Sequence, residues 1–464
     1  MKVLKFGGSS VGTVSNILNV KQIVEAVDEQ VIVVVSALGG ITDRLIKASL
    51  MAAEGNQTYR MEVTEMVNRH LDMIHSIIPS GEGRVKLVDR LQELFADLTL
   101  LYDKVYAVRR LSVEASAEIV SYGELLSSLI VSSLISGSRW YDSRTFMKTE
   151  KKHHKNQLDA ELTEELIREA FKECTAVSLV PGFISTDKNT GETTNLGRGG
   201  SDYTAAIIAA ALDADVLEIW TDVDGFMTGD PRIIHAARPI DELNYEEAIE
   251  LCNFGAKVVY PPTIHPVCTK NIPILIKNTM NPTAPGTVIA QNTRLYGNGV
   301  KGISSIKEIS LITVAGIENA VKGDVCRDIQ NKLKKNGISS FVLSKPDYHT
   351  SVSVGVCPDE VAVACDILQN CLTQDAVENH ACRMQVEGNL AMVTVVGQCM
   401  GQSKSVADRL FGVLASNEVK VVASSIGESE TNLSFMCESA LLPKAMNVAH
   451  EIFFQELKSY STAS

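Results

Sequence analysis

Nine consecutive residues, Leu196-Gly197-Arg198-Gly199-Gly200-Ser201-Asp202-Tyr203-Thr204, gather three glycines, a guanidinium and a carboxylate ahead of an apolar run, Ala205 to Leu212. Glycines in such a turn let backbone N–H groups approach an anion, and a helix starting there adds the positive end of its dipole. Arg198 brings a planar fork that matches a carboxylate, while Asp202 can hold an ammonium or orient a lysine. Turn chemistry alone also fits a plain strand-to-helix turn with a surface ion pair.

A second element of the same kind opens the chain. Met1 to Phe6 alternates as a short strand and runs into Gly7-Gly8-Ser9-Ser10. Lys5 stands near the end of that strand, where a buried ammonium requires an anionic partner. This is not a Walker A loop: Gly7 and Gly12 are correctly separated, but Thr13 occupies the lysine position. Nor does a G-x-G-x-x-G occur here, so a dinucleotide fingerprint is excluded. Phosphate cradling by a different glycine geometry is the reading that remains, and the two turns reinforce each other.

Such turns need strands behind them and helices after them. The run Val31-Ile32-Val33-Val34-Val35 suits a strand buried on both faces, with Ala176 to Val180 and Val216 to Trp220 as further buried strands. Ser36 to Asp43 reads as a glycine-containing loop between strand and helix. This βα rhythm to about residue 290 predicts a three-layer αβα sandwich on a largely parallel sheet, with ligands at the strand carboxyl ends. From Leu45 to Val120 the pattern is long, amphipathic and helical, which fits either a lid or a structural layer.

Asn278 to Gly286 is turn-rich, and Gln291 to Gly299 reads as a linker. An internal repeat follows it. Ile312-Thr313-Val314-Ala315-Gly316 recurs as Val393-Thr394-Val395-Val396-Gly397, and at the same offset Leu333 maps to Leu414, Ser344 to Ser425 and Thr350 to Thr431. Each copy reads as a small βαββ unit whose sheet needs a partner.

Bulk composition narrows the function classes. A chain of 464 residues exceeds one ordinary core, so two or three domains are expected. Net charge is −13, which argues against nucleic acid or an anionic membrane as the main partner. The longest apolar runs, such as Val31 to Val35, are too short to span a bilayer, and the chain start shows no signal peptide, so a cytoplasmic location is expected. Ten cysteines occur without a C-x-x-C pair, and His153-His154 sits in the basic run Lys148 to Lys155, read as a solvated loop; no metal site is expected.

Five motifs taken together resemble the aspartate kinases, enzymes of the amino-acid-kinase fold with two C-terminal ACT modules. They are Lys5-Phe6-Gly7-Gly8-Ser9-Ser10, Ser121-Tyr122-Gly123-Glu124, Leu196 to Tyr203, Thr221-Asp222-Val223-Asp224-Gly225 with Asp230-Pro231-Arg232, and Phe254-Gly255-Ala256-Lys257. The resemblance covers nearly the whole chain. It implies a catalytic domain over 1–292, paired ferredoxin-like α+β ACT modules over 300–384 and 385–464, and a strand near 300–306 contributed to the second module. It further implies ATP-dependent phosphorylation of the L-aspartate side-chain carboxylate to 4-phospho-L-aspartate, with Mg²⁺ carried by the nucleotide. A carboxylate is already ionised at pH 7, so the work is positioning and charge neutralisation rather than base catalysis.

On the same resemblance, Lys5 and Lys257 neutralise phosphoryl charge and Asp202 orients the set. Gly7, Gly8 and Ser9 line the phosphates. Thr42, Glu124 and Arg198 contact the amino acid, with Glu124 on the ammonium and Arg198 on the α-carboxylate. Thr221, Asp222, Met227, Arg232 and Lys257 fall on the nucleotide side. Ser9-Ser10 departs from a usual Thr-Ser, Met227 from an aromatic, and Tyr260-Pro261-Pro262 from a His-Pro segment. Glutamate 5-kinase, acetylglutamate kinase and uridylate kinase are rivals of the same fold, and a catalytically dead amino-acid sensor is a rival of another class. The pair Glu124 and Arg198 favours a free α-amino acid.

The repeated modules imply a homodimer, since pairing removes exposed sheet edges. They also imply feedback inhibition by lysine or threonine, in a site formed by Glu318, Asn319, Asp324 and Ser339. An end at Ser464 without a fused dehydrogenase favours lysine, whereas Phe341 in the covering strand favours threonine.

Overall fold

The computed structural model describes residues 1–152, 155–173, 176–293, 299–315, 322–343, 351–375, 383–398, 404–427 and 430–454. Two compact units result. The first comprises Met1–Phe226, Asp241–Tyr245 and Val258–Asn292, and the second Met227–Ile240, Glu246–Lys257 and Thr293–Ser464.

In the first unit an eight-stranded sheet runs in the order Glu242–Leu243, Thr287–Ile289, Ile274–Asn278, Val216–Thr221, Lys2–Phe6, Val31–Val35, Val177–Pro181, Ser138–Trp140. The six strands from Ile274–Asn278 onward are mutually parallel; Thr287–Ile289 runs antiparallel to Ile274–Asn278, and Glu242–Leu243 runs parallel to Thr287–Ile289. All five residues of Val31–Val35 are buried, as a β-branched run between two covered faces requires. Leu4, Phe6, Val33 and Val35 share one core with Tyr59, Met66, Leu91, Leu98 and Tyr102. The helices Tyr59–Ile77 and Glu82–Val108 are therefore a structural layer rather than a lid. The helix Gly200–Ala211 packs on Lys2–Phe6 and Val31–Val35 and is buried along most of its length.

Two expectations need correction here. Lys148 to Lys155 is not a solvated loop: Lys148–Lys152 and Lys155–Leu158 pair antiparallel in a small four-stranded sheet, with Thr149 buried. His153 and His154 lie outside the described residues. Among the described residues one helix, Val113–Leu134, is by length and composition apolar enough to cross a membrane, contrary to the reading from short runs, yet 78% of its apolar window is buried inside the fold. Its apolar character is that of a core helix, buried along most of its length from Ala117 onward.

The second unit holds a six-stranded sheet ordered Phe341–Leu343, Ser351–Val356, Val300–Ala315, Arg383–Gly397, Asn432–Glu438, Ala423–Ile426. The two long central strands pair antiparallel, with register shifts between Ile306 and Leu311. That break divides each of them between the repeats: Val300 to Ile306 pairs with Met392 to Gly397, and Leu311 to Ala315 with Arg383 to Glu387. Even the internal hydrogen bonds repeat, Thr313 Oγ1 to Ser353 Oγ at 3.1 Å and Thr394 Oγ1 to Ser434 Oγ at 2.8 Å. The βαββ reading stopped one element early, because the helices Val361–Asp375 and Leu442–Phe454 close the two copies. Their buried faces, Ala364 with Leu368 and Ala445 with Ala449, recur at i, i+4 spacing.

Candidate functional site

The glycine loops meet at the carboxyl ends of the central parallel strands. Gly7 N–H donates to Trp220 O at 3.2 Å, Ser36 N–H to Phe6 O at 3.1 Å and Gly182 N–H to Val35 O at 2.9 Å. Gly8 and Gly39 lie backbone to backbone: a Cβ on Gly39 would stand 3.0 Å from the Gly8 carbonyl oxygen, and one on Gly8 3.1 Å from that of Ala37. The N–H groups of Gly8 and Ser9 donate to no acceptor among the described residues, so they are available to an anion. The two serines divide their work. Ser10 is fully buried, donates to Trp220 O at 3.2 Å and meets Thr279 Oγ1 at 2.7 Å, whereas Ser9 is exposed.

Lys5 is 8% exposed, and its Nζ lies 2.5 Å from Asp202 Oδ1 in the first turn of the helix Gly200–Ala211. The buried ammonium thus has the anionic partner it requires. Arg198 is exposed, with no carboxylate paired to it among the described residues.

Glu124 comes from the core helix Val113–Leu134. Gly123 makes its placement possible, because a Cβ there would be 2.8 Å from Ala37 Cβ. Ser127 Oγ donates to Ser36 O at 2.7 Å and clamps the same helix to the loop. Glu124 is 5% exposed and its Oε2 has no hydrogen-bond partner. Burial pushes its carboxyl up to about 8, opposed by the Ala37 N–H and by the Lys5 charge. A buried carboxyl with one oxygen left without a partner beside a cleft is suited to a cation, whose charge would favour its ionised form.

Lys5, Gly8, Thr42, Glu124, Arg198 and Asp202 all line one cleft of about 670 Å³. Phe183 also lines it, a residue the sequence reading passed over. Its φ of +69° is unusual for a bulky side chain; its N–H is held by Thr204 Oγ1 at 3.0 Å. The signal was Pro181-Gly182 at a strand end next to the arginine turn.

On the nucleotide side, Thr221 ends the strand beside Lys2–Phe6, and its Oγ1 donates to Asp222 Oδ1 at 3.2 Å. Met227, Arg232 and Lys257 belong to the second unit. There Arg232 is exposed and grips Asp230 through Nε at 2.9 Å and Nη2 at 2.7 Å, and Lys257 is exposed. Of the expected effector residues, Glu318 and Asn319 and the side chain of Asp324 lie outside the described residues, and Ser339 is exposed ahead of the strand Phe341–Leu343.

Residues 1–278 match the model of the Amino acid kinase family. The chain belongs to that family. In this amino acid kinase, residues 393–453 also match an ACT domain. Lysine-sensitive aspartokinase 3 of Escherichia coli is 29% identical over 98% of this chain and 99% of its own length. The bifunctional aspartokinase/homoserine dehydrogenase of Haemophilus influenzae is 30% identical over 99% of this chain, which spans 57% of that longer protein. Among solved structures, E. coli aspartokinase III with aspartate and ADP superimposes with a TM-score of 0.81 at 27% identity, covering 98% of this chain and 100% of that one. The aspartate kinase of Clostridium acetobutylicum gives 0.79 at 26% identity, covering 98% and 100%. These likenesses agree with the αβα sandwich and ACT modules seen here.

Proposed function

We propose that this amino acid kinase phosphorylates the side-chain carboxylate of L-aspartate with ATP, giving 4-phospho-L-aspartate and ADP. The observation that carries the reading is the cleft lined by Glu124, whose buried Oε2 has no hydrogen-bond partner, by Arg198, which has no carboxylate paired to it among the described residues, and by Lys5. That trio is complementary to an α-amino acid whose third charge points at a phosphoryl group. The aspartokinase III structure holding aspartate and ADP supports it.

Glu124 accepts the α-ammonium, Arg198 clamps the α-carboxylate, and Thr42 adds a hydroxyl. The side-chain carboxylate oxygen then attacks the γ-phosphorus as the bond to the ADP oxygen breaks. Lys5, oriented by Asp202, stabilises charge on the phosphoryl group in transit. Gly7, Gly8 and Ser9 present donors to the phosphates, with Thr221, Asp222, Met227, Arg232 and Lys257 on the nucleotide. Mg²⁺ arrives with ATP, held by phosphate oxygens and water.

The catalytic domain extends over 1–292 and the modules over 300–384 and 385–464, paired in a cytoplasmic homodimer. Lysine is the favoured effector, supported by the aspartokinase III structure with lysine and aspartate, with a TM-score of 0.74 at 28% identity. Threonine is the alternative. An acyl phosphate is trapped by hydroxylamine, so incubation with ATP, aspartate and hydroxylamine should yield aspartyl hydroxamate. ATP consumption without hydroxamate would contradict the assignment.

A further inference from the structure

The segment Met227–Ile240, which carries Met227 and Arg232, is built into the second unit together with the ACT modules. Thr228 is its anchor, 4% exposed. Thr228 N–H donates to Arg238 O at 2.8 Å, Arg238 N–H returns a bond to Thr228 Oγ1 at 3.0 Å, and Ile303 N–H donates to Thr228 O at 2.9 Å. The remaining bond of the hydroxyl is to His450 Nε2 at 2.9 Å, from the helix Leu442–Phe454. Two residues after Thr228, Asp230 O accepts from Ile233 N–H at 2.9 Å and Ile234 N–H at 2.8 Å, forming the turn from which Arg232 projects. The same helix holds that turn a second time, Asn447 Nδ2 donating to Ile233 O at 3.2 Å.

Resting on the nucleotide-side reading of Met227 and Arg232, we propose that His450 is a positioning residue for the nucleotide, acting through Thr228. The imidazole is 2% exposed and stacks on Phe454 at 4.6 Å between ring centroids. Burial and the Arg238 charge hold its pKa down at about 4, so the ring is neutral at pH 7. A neutral Nε2 can accept the Thr228 hydroxyl proton while Thr228 Oγ1 accepts from Arg238 N–H, which satisfies the buried hydroxyl as donor and acceptor. An apolar wall would hold the segment in place without fixing the direction of its turn. The pairing of Thr228 with His450, 222 residues apart in sequence, fixes it.

The test measures Mg·ADP affinity by calorimetry, with KM for ATP and for aspartate, on the full chain and three variants. His450→Phe keeps the ring stack and removes the hydrogen bond, Thr228→Val removes it from the other side, and His450→Gln restores a polar partner. Loss of one buried hydrogen bond should weaken Mg·ADP binding and raise KM for ATP about fivefold in the Phe and Val variants. KM for aspartate should stay unchanged, and the Gln variant should recover most of the loss. If His450→Phe does not fold, Thr228→Val with His450→Gln decides. Unchanged Mg·ADP affinity, or an equal loss for aspartate and nucleotide, would overturn the proposal. A wild-type chain that binds Mg·ADP but releases no ADP with aspartate would sink the reaction assignment alone, since the affinities still decide the role of His450. No Mg·ADP binding by the wild type would sink both.

Discussion

Lys5 and Glu124 are both buried ionisable groups, and they differ in their partners. Lys5 has Asp202 at 2.5 Å, while Glu124 Oε2 has no hydrogen-bond partner. Removing one preorganised charge donor costs roughly 10²–10³ in turnover, so Lys5→Ala should lose that much kcat at saturating ATP. Near-full turnover would contradict the assignment of Lys5. Arg198→Ala should instead act mainly on KM for aspartate, because the contact proposed for it would be made in ground and transition states alike. Glu124 also has a pH signature. Its folded carboxyl titrates at about 8 because it is desolvated. An unfolded glutamate titrates near about 4.3, so between those values the folded state keeps a proton that the unfolded state has released. Stability from this group is therefore greatest at low pH and falls as pH rises through that window. Glu124→Gln should flatten the decline in Tm between pH 5.5 and 8.5, and an unchanged slope would exclude Glu124 as its source.

At the scale of elements, the site depends on loops and helices approaching closer than a side chain permits. Gly123→Ala would place a methyl against Ala37 Cβ, pushing the helix that carries Glu124 off the Ser36–Gly39 loop. Overpacking of this kind costs about 1–3 kcal/mol, so Tm should fall and KM for aspartate should rise more than KM for ATP. Kinetic constants equal to wild type would show that the contact does not place Glu124. Much of this was legible in the sequence: the two glycine turns, the buried strands behind them, and the repeat, down to Leu333 and Leu414, both fully buried. Local spacing carried those signals. What escaped it depends on distant partners or on burial. Lys148–Lys152 looks solvated by charge, but its alternate residue Thr149 is buried in a hydroxyl cluster with Thr194 and Ser185. The closing helices were overlooked because the matched landmarks ended at the preceding strand. Nothing local shows that the segments 227–240 and 246–257 join the second unit, since contacts such as Asn432 Nδ2 to Glu250 Oε2 at 2.7 Å span 182 residues.

For the whole molecule, the paired modules and the catalytic sandwich should behave as one regulated enzyme. Light scattering at micromolar concentration should give the mass of two chains, and a mass of one chain would contradict pairing through the modules. An effector can act only by binding one conformation more tightly than another, so millimolar lysine should both lower aspartate-dependent activity and shift Tm. Threonine doing so in place of lysine would reassign the effector, and neither doing so would remove feedback control. The central claim is the substrate. ADP release measured with ATP and Mg²⁺ against aspartate, glutamate, N-acetylglutamate and uridine monophosphate in parallel tests it most directly. Release with aspartate, lowered roughly 10²–10³-fold by Lys5→Ala and restored toward wild type by raising aspartate in Arg198→Ala, is the expected result; faster release with any of the other three, or none with aspartate, would contradict it.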